Sequence, residues 1–150
     1  MPVLRKIRFR LALAFWARLV PILAWERNLS SLLALTKPRP ATPYRGLPAD
    51  YIARRVKKAT RRPWLMRDRP CLRDGVLALR FLRLAGYDPT LHFAVERESI
   101  ARDVLSAHCW VVLDQRVMLN PPTPTMMEIL VYAGDQLSPP APAGAPVAAG

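Results

Sequence analysis

Cys71, His108 and Asn120 are the residues whose types and spacing could do chemistry. Cys71 follows Pro70 at the start of an amphipathic run. His108 lies in the strand-like stretch from Ser106 to Val112, and Asn120 closes the next such stretch. A thiolate is a strong nucleophile, an imidazole can take and deliver its proton, and a third polar residue can fix the ring. A helix start suits the thiol, because unpaired backbone N–H groups and the helix dipole stabilise a thiolate. The same groups can stabilise an oxyanion, which makes the backbone amide of Cys71 a candidate donor. Together these residues predict a small thiol hydrolase or acyltransferase working through a thioester.

Each assignment has a plainer rival. Free cysteine is among the most buried residue types, so Cys71 alone would read as core. The histidine partner shifts the balance to catalysis. Side chains alternate along a strand, so His108 and Trp110 share a face and Cys109 points to the other. That favours Cys71 over Cys109 as nucleophile. His92 alternates with Leu91 and Phe93 and reads as structural or exposed. Asn120 can offer its side-chain carbonyl to the imidazole N–H, though without the charge an Asp would bring. Asp114 is the rival orienter, but it sits in a turn. A strand-ending Asn before Pro121 is the plain alternative. The two Cys and two His lack paired short ligand spacing, and neither a Gly-rich phosphate loop nor a serine elbow occurs. No metal and no cofactor is expected.

These residues need a helix and a hairpin to hold them. Leu72, Val76, Leu79 and Leu82 predict a helix from Cys71 to Ala85, ended by Gly86 and Pro89. Strands are predicted at Leu91–Val95, Ser106–Leu113, Arg116–Asn120 and Met126–Tyr132, with Asp114-Gln115 as a tight turn. Glu96–Val104 reads as a loop or short helix. Upstream, residues 4–35 read as helical, with Leu11, Phe15, Leu19, Ile22 and Leu23 as the apolar stripe and Pro21 as a kink or break. This arm is expected to pack on the core. A membrane-surface helix is the alternative, since Arg5, Lys6, Arg8 and Arg10 lead into Phe9, Phe15 and Trp16. The apolar window is too short and too charged to span a bilayer. Four prolines mark 36–48 as an extended linker, and a cationic helix follows up to Arg62 with Ile52, Val56 and Ala59 as its apolar stripe. The expected organisation is a basic helical region over 1–62, an α+β core over 63–136 and a disordered Pro/Ala tail over 137–150.

The net charge of +12 is concentrated in the front of the chain. Residues 1–62 hold 15 Lys or Arg against Glu26 and Asp50, a surplus of 13. Residues 63–150 hold 8 against 9 acidic residues, a balance of −1. Such asymmetry predicts an acidic partner, or else a solvated basic face. Aromatic residues are too scarce over 44–62 for base stacking, which disfavours nucleic acid. Two cysteines without a signal-peptide pattern argue against a disulfide scaffold, and the expected compartment is the cytoplasm, with peripheral contact at the inner membrane face as an extension.

The Cys71-Leu72 pair, the run Leu77-Ala78-Leu79-Arg80-Phe81-Leu82-Arg83-Leu84-Ala85-Gly86 and the signature Ala107-His108-Cys109-Trp110-Val111 resemble the transglutaminase-like leader peptidases of lasso-peptide biosynthesis. That family is also described as the C-terminal domain of the microcin-processing protein. The basic, Leu-rich first helices and Ala53-Arg54-Arg55-Val56 look like its short, stand-alone form. The resemblance covers most of residues 1–120. It implies a papain- or transglutaminase-like core in which Cys71 attacks the bond between leader and core of a ribosomally made precursor. It also implies a separate small recognition protein that presents the leader and a macrolactam-forming cyclase that closes the product. Two positions depart from the pattern: Cys109 stands where Ala is usual, and Asn120 where Asp is usual. Transamidation, a non-catalytic binding module and a basic protein for membranes or acidic ligands are the competing expectations.

Overall fold

The computed structural model describes residues 2–26, 28–62, 65–101 and 106–141. Among these residues, helices α1 (Pro2–Glu26), α2 (Leu29–Ala34), α3 (Ala49–Thr60) and α4 (Pro70–Leu84) come first. Strands β1 (Thr90–Glu96), β2 (Ala107–Leu113), β3 (Arg116–Leu119), β4 (Met126–Ala133) and β5 (Gln136–Ser138) follow, with a 3₁₀ turn at Arg97–Ala101. All paired strands are antiparallel, in the order β3-β2-β1-β4-β5. The fold is the expected α+β arrangement, a cysteine-bearing helix packed on an antiparallel sheet.

α4 organises the molecule. Pro70 opens it at a position where a fixed φ is favourable and a missing N–H costs nothing. Every residue from Arg73 to Arg83 is buried. The helix ends as its glycine predicts: Gly86 takes φ +89°, its N–H reaches the Arg83 carbonyl at 2.9 Å, and the Tyr87 N–H reaches the Leu82 carbonyl at 3.1 Å. On one side α4 meets the sheet, and Gly75 sets the approach. A Cβ at Gly75 would fall 2.8 Å from Leu91 Cδ1 and 3.5 Å from Cys109 Sγ. On the other side it meets α1, through edge-on contact between Phe81 and Phe9 at 5.4 Å.

α1 differs from the sequence expectation in two ways. It runs unbroken through Pro21, and the chain divides afterwards, where Asn28 caps α2 by accepting the Ser31 N–H at 3.0 Å. A mid-helix proline removes the donor to the carbonyl four residues earlier. Here that carbonyl belongs to Ala17, and the buried Arg73 guanidinium supplies the missing donors from Nε (3.1 Å) and Nη2 (2.5 Å). The second difference is the buried face. Phe9, Leu13, Ala17, Val20 and Ala24 enter the core, while Leu11, Phe15 and Ile22 of the expected stripe are exposed. Both sets obey the helical period, so spacing alone does not choose between them.

The Pro-rich segment over 36–48 is irregular but packed. Tyr44 and Leu47 are buried, and the Tyr44 N–H bonds the Leu84 carbonyl at 3.1 Å. In α3, Ile52, Ala53 and Val56 face the core. β5 corrects the expected disordered tail at its start. Gly134, at φ +58°, sits in the turn that folds Gln136–Ser138 back onto Val131–Ala133. Residues 142–150 of that tail lie outside the described residues. No helix among the described residues is long and apolar enough to cross a membrane.

Candidate active site

Cys71 is the second residue of α4, where a backbone N–H has no acceptor within the helix. Its side chain is half-buried, and β2 brings two neighbours to it. Cys109 faces α4 across Gly75 and is buried. The Cys71 thiol is lowered to about 5. The largest cause is a hydrogen bond from the Cys109 thiol; burial opposes it, and the Cys109 backbone N–H and then the charge and hydrogen bonding of His108 add to it. Donation to Cys71, followed by burial, pushes the Cys109 thiol up. Near neutral pH the pair therefore holds a thiolate at Cys71 and a thiol at Cys109, each in its own role.

His108 is fixed from its far side. Its Nε2 lies 2.9 Å from the backbone carbonyl oxygen of Asn120. A carbonyl can only accept, so Nε2 carries the hydrogen and a neutral ring keeps its lone pair on Nδ1. The ring also stacks on Trp110 at 6.3 Å, as expected for residues sharing a strand face. Trp110 stacks in turn on His92 at 5.4 Å.

Asn120 is present at the site, but in a different way from the sequence expectation. Its backbone, not its amide, meets the imidazole. The residue takes φ +54°, a left-handed conformation that Asn tolerates. Its Oδ1 accepts from the Lys57 ammonium at 2.6 Å, and its Nδ2 donates to the Cys71 carbonyl at 3.3 Å. A charge-assisted bond outcompetes a neutral one for that oxygen, which leaves the backbone carbonyl for the ring. Asp114, the rival orienter, lies at the other end of β2. There it forms a primed two-residue turn with Gln115, with φ values of +49° and +63°.

Two residues of this cluster escaped sequence reasoning. Lys57 on α3 also pairs at 2.6 Å with Asp74, a carboxylate 4% exposed on the first turns of α4. The pair ties α3, α4 and the end of β3 together beside Cys71. The available signal was Asp74 itself: an acid three residues after Cys71, in a run otherwise built for burial. Clefts lie on both sides of Lys57. One of about 740 Å³ is lined by Arg54, Lys57, Val117, Asn120 and Pro121. The other, of about 750 Å³, is lined by Lys57, Lys58, Arg61, Pro70 and Asp74. No group of metal-binding side chains occurs among the described residues.

Comparison with curated proteins and with solved structures finds no match to the chain. A family model described as transglutaminase-like superfamily matches residues 10–129. The match runs from α1 into β4 and takes in Cys71, His108 and Asn120. By that match and by the helix-on-sheet core that carries Cys71, the chain belongs to the transglutaminase-like superfamily.

Proposed function

We propose that this protein is a cytoplasmic cysteine peptidase that removes the leader from a ribosomally made precursor, as in lasso-peptide maturation. The observation that carries the reading is the lowered Cys71 thiol at the start of α4, beside an imidazole whose Nδ1 is left as the basic nitrogen. Superfamily membership supports a thiol enzyme of the peptidase or transamidase kind. In the first step the Cys71 thiolate attacks the scissile carbonyl carbon, and the free backbone N–H at the helix start faces the developing oxyanion. The C–N bond then breaks, and protonated His108 gives its proton to the departing amine. In the second step His108 takes a proton from water, which attacks the thioester and releases the leader as a carboxylate. An amine in place of that water would give transamidation by the same route.

The clefts beside Lys57 carry Arg54, Lys58 and Arg61, which suits an acidic stretch of peptide. A small recognition protein would present the leader, and a cyclase would take the freed core. The test is mass spectrometry of a precursor incubated with its recognition protein and this enzyme. Native protein should release leader and core, and Cys71→Ala, still folded, should release neither. Persistent processing by Cys71→Ala would sink the proposal, and a leader–amine conjugate would favour transamidation.

A further inference from the structure

α1 is apolar on two opposite faces. One holds Phe9, Leu13, Val20 and Ala24 against α3 and α4. The other carries Leu4, Ile7, Leu11, Phe15, Ile22 and Trp25, which are 46–77% exposed. Their steps of three, four and seven residues place them in one row. At 1.5 Å per residue the row is about 30 Å long, well beyond the scattered apolar residues of an ordinary surface. Residues 1–25 contain no acid, and while Arg5, Lys6 and Arg10 turn back to Arg45 and Tyr51, Arg8 and Arg18 accompany the row.

We propose that this face docks on an anionic lipid bilayer, with α1 lying in the plane of the interface. Charge complementarity supports lipid phosphate as the counterpart of these cations. Arg18 favours lipid over a dry protein groove. It lies within the exposed row, and its guanidinium folds back on the Ala14 carbonyl at 3.0 Å. In a groove that cation would need a buried anion, whereas at a bilayer the aliphatic stem stays in the apolar layer and the head reaches phosphate. Docking through this face leaves the opposite face of α1 on α4, so the Cys71 cluster stays assembled.

The experiment is co-sedimentation of the full chain with vesicles of equimolar phosphatidylglycerol and phosphatidylcholine, against vesicles of phosphatidylcholine alone. The protein should pellet with the anionic vesicles, more weakly as salt rises, and hardly at all with the neutral ones. Leu11→Glu with Phe15→Glu should abolish pelleting. Both positions are exposed, so the circular dichroism spectrum and the Cys71 alkylation rate should not change. Arg8→Ala with Arg18→Ala should weaken binding roughly thirtyfold. Absence of native binding, equal binding to neutral vesicles, or undiminished binding by the double Glu variant would each overturn the proposal. A protein partner covering the same row would appear as the first of these results.

Discussion

His92 and His108 both stack on Trp110, with ring centroids 5.4 and 6.3 Å from the indole. At His92 both nitrogens are spoken for: Nδ1 pairs with Glu128, and Nε2 meets Thr90 Oγ1 at 2.8 Å. At His108 the Asn120 carbonyl holds Nε2, and the ring acts on Cys71. The aromatic platform is shared and the residue type is the same. What separates a structural imidazole from a reactive one is the partner at the second nitrogen.

The contrast can be broken or sharpened by substitution. Cys71→Ala should remove all fast alkylation of the native protein, because Cys109 is buried and burial by itself still pushes its thiol up once Cys71 is gone. Rapid labelling that persists at Cys109 would show the two sulfurs to be interchangeable. His108→Ala should lower precursor turnover by about a hundredfold or more, the usual worth of a positioned acid–base group. His92→Ala should change it by less than about threefold and act mainly on stability, by about 1–2 kcal/mol from its lost partners. Equal losses of turnover would erase the distinction.

The pH profile tests the sulfur pair. The thiolate is the reactive form, so alkylation of Cys71 should rise as pH climbs through about 5. Removing the principal donor with Cys109→Ala should move that rise upward, toward the ordinary thiol pKa of about 8.5, and slow alkylation at pH 6 by roughly tenfold or more. An unmoved profile would assign the lowering to His108. Asn120→Ala keeps the backbone carbonyl that holds the ring, so alkylation should fall only about fivefold, partly from strain at a left-handed φ. A loss as large as that of His108→Ala would return the orienting role to the amide.

Much of this could be read from residue order. Pro70 and Gly86 bracket α4, alternation separates His108 and Trp110 from Cys109, and the strands of the central hairpin fall close to the expected places. Strand alternation says which face a side chain takes but not which neighbour waits there. Alternation turns Cys109 away from His108 and so disfavours it as nucleophile, yet that direction leads to Cys71, because Gly75 lets the helix close on the sheet. The backbone role of Asn120 was equally hidden, since a sequence lists side chains and every residue owns a carbonyl. Lys57 looked like one of several solvated cations until Asp74 gave it a buried counterion. α1 misled for a different reason: both its faces are apolar, and only tertiary contact decides which is covered.

The pairing of Pro21 with Arg73 bears on how this chain can change over generations. Arg73→Met leaves the Ala17 carbonyl without a donor, because residue 21 has none to give. In a background carrying Pro21→Ala the helix supplies that donor itself, and the same loss of Arg73 is milder. The two positions lie in different helices, yet their effects do not add. Which residue can stand two positions after the nucleophile is therefore set in part by one imino acid in another helix, a turn away from the carbonyl that Arg73 bonds.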